Sequence, residues 1–187
     1  MKTFWKKMTP AALLAATLLL AGCLVSGTFT IVVFISGQEL DDNHPNGFYH
    51  YVVDLTDEED WDDHKDDIEN IDVIGFDLWV RNMRSTATTF NAWVDDLGDA
   101  QITNPALLDA NATPILQDLV IAAGPDVVTH ITYAESLGHL RNVAALKAYV
   151  KGGQFRLYGH SEGTPTIGDD YILDSVRVVV TFTAKGG

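Results

Sequence analysis

Residues 73–94 read VIGFDLWVRNMRSTATTFNAWV, and the alternation in this stretch decides the fold class. Ile74, Phe76, Leu78 and Val80 recur at every second position, with Asp77, Trp79 and Arg81 between them. Successive side chains of a β-strand point to opposite faces, so this period of two predicts a strand with one apolar and one polar face. Phe90, Ala92 and Val94 repeat the pattern beyond Ser85-Thr86-Ala87. A hairpin through those three residues would pair positions whose numbers sum to 172. It would set Trp79 opposite Trp93, Asp77 opposite Asp95 and Arg81 opposite Asn91 on one face. Val80 would meet Ala92, and Leu78 would meet Val94, on the other. A slip of one residue would press apolar side chains against polar ones, so this register is the expectation.

The same alternation recurs outward along the chain. It is seen in Phe29 to Ile35, in Tyr49 to Leu55 after the turn Asn43-His44-Pro45-Asn46-Gly47, and in Val176 to Phe182. Ile115 to Ile121, Val127 to Tyr133, and Phe155 with Leu157 supply further strand candidates. Eight short strands separated by Gly, Pro, Asn and Asp predict a mainly β chain, an antiparallel β-sandwich of immunoglobulin-like or jelly-roll-like build. Two short helices are expected in the connections. One spans Asp57 to Asn70, with a Thr56/Glu59 capping box and Trp61, His64, Ile68 and Ile71 at helical spacing. The other spans Val143 to Lys151, with Asn142 as N-cap and Gly152 as its stop. No internal repeat is visible, and residues 28–187 are expected to form one domain.

The amino terminus is of another character. Lys2, Lys6 and Lys7 precede an apolar run from Ala11 to Ala21, broken only by Thr17. The run is shorter than the roughly 20 residues a bilayer span needs and fits a secretory signal. It ends in Leu20-Ala21-Gly22-Cys23, which resembles the bacterial lipobox. The resemblance implies that residues 1–22 are a cleaved signal peptide, that Cys23 carries a thioether-linked lipid, and that the new amino terminus is acylated. Cys23 is the sole cysteine, so no internal disulfide is available. Leu24, where an Asp would resemble an inner-membrane retention signal, points to the outer membrane in a two-membrane organism. Residues 23–27 leave only a short lipidated tether before the first strand. The general build resembles immunoglobulin-like surface lipoproteins.

The chain carries 12 basic and 26 acidic residues, a formal charge of −14, which becomes −17 once the three signal lysines are gone. Nucleic-acid binding needs basic surface that releases phosphate counterions, so this balance excludes it. Adhesion to anionic lipid headgroups is disfavoured too, which leaves membrane attachment to the lipid anchor. The acids are 20 Asp and 6 Glu, a bias that suits either high salt or calcium ligation.

Several groups of residues are candidates for chemistry. Gly159-His160-Ser161-Glu162-Gly163 fits the G-x-S-x-G elbow of α/β-hydrolases, which needs a strand before the serine and a helix after it. Thr164-Pro165-Thr166-Ile167-Gly168 reads as loop, and no histidine follows His160, so a hydrolase ranks last. Residues 54–72 hold eleven carboxylates and one lysine. No EF-hand spacing is present, but Asp54, Asp57 and Asp60 are candidate ligands for Ca2+ where strand gives way to helix. His44 and His50 near Asp41 and Asp42 are a weaker candidate surface metal site. Trp79 and Trp93, flanked by Asp77, Asp95, Arg81 and Asn91, would form an aromatic platform able to stack on a sugar. The expected function is therefore an envelope-anchored, non-catalytic binding or assembly module with a protein or glycan partner. A carbohydrate-binding module using the Trp pair is the alternative.

Overall fold

The computed structural model describes residues 27–36, 48–124, 126–161 and 171–184. The expected signal peptide, Cys23 and the expected tether up to Ser26, His44 with Asp41 and Asp42, and residues 162–170 lie outside the described residues.

All eight expected strands are present: β1 (Gly27–Ser36), β2 (Phe48–Asp54), β3 (Ile68–Asn82), β4 (Thr88–Asp95), β5 (Thr113–Ile121), β6 (Val128–Ile131), β7 (Gln154–Ser161) and β8 (Tyr171–Ala184). They form two four-stranded sheets, ordered β1-β8-β3-β6 and β2-β7-β4-β5, with every neighbour antiparallel. The alternating apolar positions meet between the sheets. Ile31, Val33 and Ile35 of β1, Ile74 to Val80 of β3 and Val176 to Phe182 of β8 face Phe90, Ala92 and Val94 of β4 and Phe155 and Leu157 of β7. The chain changes sheet at every connection except β4 to β5. This is the double Greek key of a jelly roll, not the immunoglobulin strand order.

That topology overturns the expected hairpin. β3 already pairs with β8 on one side and β6 on the other, so β4 has no place beside it. Residues 83–87 instead turn a corner from the first sheet to the second. Asn82 is fully buried at this corner. Its amide donates to Thr86 O at 2.7 Å and its Oδ1 accepts from Arg84 N–H at 2.9 Å, satisfying backbone that a hairpin ladder would otherwise satisfy. Trp79 and Trp93 therefore lie in different sheets.

Four short helices occupy the connections: α1 (Glu59–His64), α2 (Leu108–Asn111) after a 3-10 turn at Pro105–Leu107, α3 (Tyr133–His139) and α4 (Val143–Gly152). The helix expected from Asp57 to Asn70 is thus much shorter, because Ile68 already belongs to β3. Register shifts at Ile68/Asn70 and Ile71/Val73 mark bulges, each adding one residue. Ile68, Ile71 and Ile74 all point inward at a spacing of three, which imitates a helix in the sequence. The Thr56/Glu59 capping box does not form. Glu58 is the N-cap, and Thr56 donates through N–H and Oγ to Asp54 Oδ1 at 2.9 and 2.6 Å. Trp61 is the one buried residue of α1, its ring edge-on to Phe182 at 6.1 Å. α4 starts where expected, but Asn142 is left-handed (φ 46°) and its amide donates to Pro114 O rather than capping.

α3 continues the edge of the first sheet where β6 stops. It packs so closely on Gly75 that a Cβ there would lie 2.6 Å from the Tyr133 ring. The Phe76 N–H donates to the buried Ser136 Oγ at 2.9 Å, so a helix side chain takes the place of a missing strand partner. The two outer faces of the sandwich consequently differ: one sheet is covered by a connection, the other is largely open.

Candidate functional site

The second sheet turns Phe48, Trp93 and Tyr158 outward, and the segment 96–112 lies over them. Ile102 and Leu108 complete a second apolar cluster with these three rings. Phe48 and Tyr158 stack at 5.6 Å with planes 2° apart. Trp93 is 5 % exposed and its indole N–H donates to Asp109 Oδ1 at 3.0 Å. Beside it lies a buried network. Arg156 Nη1 donates to both oxygens of Asp95 at 3.1 and 3.0 Å, and the Tyr158 hydroxyl donates to Asp95 Oδ2 at 2.9 Å. The same hydroxyl accepts the Ile102 N–H at 3.1 Å, which ties the covering segment to the sheet. Burial pushes the Asp95 carboxyl above its ordinary value, opposed by the Tyr158 hydroxyl and the Arg156 charge. Asn91 is also buried, and its Oδ1 accepts the N–H of Asp118, a residue at φ 63° where the β4–β5 register shifts. Three of the expected ligand-binding residues, Trp93, Asp95 and Asn91, thus hold the fold together.

The other three, Asp77, Trp79 and Arg81, lie on the outer face of the first sheet. There the strand order sets one side chain from each strand into a row: Phe34 from β1, Arg177 from β8, Trp79 from β3 and His130 from β6. The Arg177 guanidinium lies 5.7 Å from the Phe34 ring centre and 5.0 Å from that of Trp79. His130 stacks on Trp79 at 4.3 Å with planes 10° apart. Strands lie about 4.8 Å apart, close to the stacking distance, so antiparallel pairing itself builds the row. Asp77 braces it from below, 2.6 Å from His130 Nε2 and 3.7 Å from Arg177 Nη1. Arg81 makes a forked ion pair with Asp174, its Nε 2.9 Å from Oδ2.

The row has two chemical consequences. β8 and β6 flank β3 on opposite sides, so the two faces of the Trp79 ring are occupied by Arg177 and His130. Neither predicted tryptophan therefore offers a bare ring face to a sugar. Among the described residues His130 makes no hydrogen bond to a hydroxyl or thiol; its partner is the Asp77 carboxylate. The acids on this face are matched to cations or hydroxyls: Asp77 by Arg177, Asp174 by Arg81, and Asp72 by the Thr183 hydroxyl at 2.8 Å. Large apolar groups stand open around them, with Phe34 54 %, Val128 49 % and Val32 46 % exposed. In a chain of charge −14 this is a locally balanced, apolar surface.

The remaining candidates are dispersed. Asp54 accepts from Thr56 through Oδ1 and from Gln154 Nε2 through Oδ2, and the Thr56 bonds hold its carboxyl below the ordinary range. Asp57 and Asp60 are exposed. Among the described residues no three of His, Cys, Asp or Glu are grouped to hold a metal ion. His50 contacts Gln101 at 2.8 Å. Gly159, His160 and Ser161 continue β7 as strand instead of turning out of it. Gly159 is required there because a Cβ would lie 2.7 Å from the Phe90 ring. No helix among the described residues is long and apolar enough to cross a membrane.

His130, Arg177 and Phe34 were missed from the sequence. Each sits at an outward position of its strand, a signal present in the alternation, but only the strand order reveals that they adjoin Trp79. No protein-family model matches the chain, and no curated protein matches it either.

Proposed function

We propose that the chain is an exported, lipid-anchored, non-catalytic binding or assembly module that presents the outer face of its β1-β8-β3-β6 sheet to a partner. The observation that carries the binding part is the row Phe34–Arg177–Trp79–His130. It is rigidly stacked, charge-balanced by Asp77 and bordered by the exposed Val32 and Val128. Exposed apolar surface of this kind marks interaction sites. The anchor rests on the lipobox-like Leu20-Ala21-Gly22-Cys23, and the large acidic excess is the reason a lipid, not the protein surface, supplies attachment. A calcium-assisted, sugar-binding module has less support, since the two indoles lie on opposite faces of the sandwich with their rings covered.

Two measurements test the reading. Growth with an alkyne fatty acid should label the wild-type chain and leave Cys23→Ser unlabelled; an unlabelled wild type refutes the anchor. A photo-crosslinking residue at Phe34 should give defined adducts in intact cells, with one at Val120 on the other sheet as control. Equal yields from the two positions would refute the binding face.

A further inference from the structure

We infer that β1 is a self-association edge, through which two copies of the chain join their first sheets into one continuous eight-stranded sheet. This goes beyond the binding face proposed above. It rests on the fold and not on the anchor.

The inference comes from comparing the four sheet edges. A sheet edge exposes unpaired backbone groups, and monomeric proteins blunt it with charges, proline, bulges, short strands or a covering element. β5 is covered: Arg141 N–H donates to Ile115 O at 2.9 Å, Asn142 to Pro114 O at 2.8 Å, and His139 Nδ1 lies 3.0 Å from Gln117 O. β6 is only four residues long. β2 carries Asp54 and His50. Among the described residues β1 has none of these devices. It is ten residues long, GTFTIVVFIS, and pairs with β8 in one unbroken register. Among the described residues β8 is the strand it pairs with. No charged residue and no proline occurs from Leu24 to Gln38, in a chain one-fifth charged.

The strand is also complementary to itself. A two-fold axis through Val33, perpendicular to the sheet, sets Val32 opposite Phe34, Ile31 opposite Ile35 and Thr30 opposite Ser36 of the second copy. Directly opposed residues on antiparallel strands share a face, so core-facing residues meet core-facing ones. The exposed Val32 and Phe34 of both copies then form one apolar patch across the joint. This places together surface that stands 46 % and 54 % open in a single chain. A twofold contact of this kind is isologous and closes at two. The uncharged edge matters doubly, because the bodies it joins are both strongly acidic.

Charge reversal tests this directly. The Val32→Glu/Phe34→Glu variant should set glutamates opposite glutamates in a pair of copies, and Val32→Lys/Phe34→Lys should set lysines opposite lysines. Both positions are half exposed in a single chain, so each variant should melt cooperatively, below wild type by no more than dimerisation contributes. Sedimentation equilibrium of the mature protein, extracted in density-matched detergent, should give a dimer for wild type at micromolar concentration. Each variant alone should dimerise at least tenfold more weakly, and an equimolar mixture of the two should recover the dimer. A monomeric wild type at ~100 μM, open-ended polymers, or variants that dimerise as wild type does would overturn the inference. So would a mixture that stays monomeric while both variants melt cooperatively.

Discussion

Replacing Arg156 with methionine should be among the most damaging single changes in the second sheet, and its damage should fade in acid. Arg156 and Asp95 are 7 % and 2 % exposed, and the guanidinium donates to both carboxylate oxygens. Breaking a buried pair by removing one partner costs about 3–5 kcal/mol, since the other charge is left without compensation. Against a total stability of roughly 5–15 kcal/mol, and at about 2–4 °C per kcal/mol for a chain of this size, the melting temperature should fall by roughly 6–20 °C. The pH dependence follows from the direction of the Asp95 shift. Burial already holds this carboxyl above its unfolded value in the wild type, and losing the Arg156 charge pushes it higher. A folded pKa above the unfolded one means that the native state binds the proton first. The penalty is therefore full above the raised folded pKa and is relieved as pH falls toward the ordinary carboxylate range. Urea unfolding between pH 7 and pH 4 should show the gap between variant and wild type narrowing, and an Asp95→Leu/Arg156→Met double variant should regain most of the loss at pH 7. The damage should also be local first. Amides in residues 97–109 should exchange faster, because Tyr158 then loses one of the two side chains, Arg156 and Asp95, that fix its hydroxyl under Ile102. A loss below ~1 kcal/mol, far under the expected range for a broken buried pair, or one that stays constant from pH 7 to pH 4, would refute the reasoning.

Other perturbations probe the remaining supports. Gly75→Ala would place a Cβ 2.6 Å from Tyr133, so α3 must move away and stability should fall by about 1–3 kcal/mol in denaturant unfolding. Asn82→Leu keeps the size of the corner side chain but leaves the Arg84 N–H and Thr86 O without their partner, which should cost about 1–3 kcal/mol in the same assay. Thr132→Ala removes the N-cap of α3, worth ~1 kcal/mol, and should speed amide exchange in residues 133–136. Hydrogen bonds from Thr132 hold the Glu135 carboxyl below its ordinary value. The contribution of Glu135 to the cap is thus complete above the unfolded pKa of about 4.5 and is lost as pH falls through the lower folded one, so amides of α3 should lose protection first in acid.

How much of this was legible follows from what a period of two can and cannot say. It reports which face of its own strand a residue takes, and the clearest strands were found on that basis, whereas Ile115 to Ile121 was read from its apolar content. It does not report which strand lies alongside. Trp79 and Trp93 were placed together because adjacent runs of alternating residues read most simply as a hairpin, and nothing in Met83 to Ala87 distinguishes a hairpin turn from a corner between sheets. Asn82 was the available hint: a polar residue at an inward position at the end of a run that otherwise buries Ile74 to Val80. The overlong first helix failed for the opposite reason, since bulges at Ile68 and Ile71 changed the strand period locally to three. α3 had its own signal in Thr132-Tyr133-Ala134-Glu135, a capping box lying at the end of a presumed strand.

The separation of the two tryptophans bears on where binding can occur. Both sheets turn an aromatic-rich face outward, and in each the rings must be shielded or exposed. The second sheet shields its face with its own chain, seating Ile102 and Leu108 over Trp93 and pinning the cover through Tyr158 and Asp95. The first sheet has no such cover over Phe34 and Val32 among the described residues. Among the described residues it shields Trp79 by cross-strand stacking, which fills the ring faces but does not cover the edge strand. A face built this way is rigid before anything binds, so association there need not order new side chains, a recurring cost of forming an interface. The Arg177–Asp77 and Arg81–Asp174 pairs matter for the same reason. They neutralise acids where a partner would approach, while the acid-rich α1, whose Asp62 pairs with Lys65, lies at the Gly27 end of the sheet, where Ile68 and Gly27 both pair with Ala184. The distribution of charge, more than its total, thus singles out the first sheet as the surface through which this acidic domain meets another.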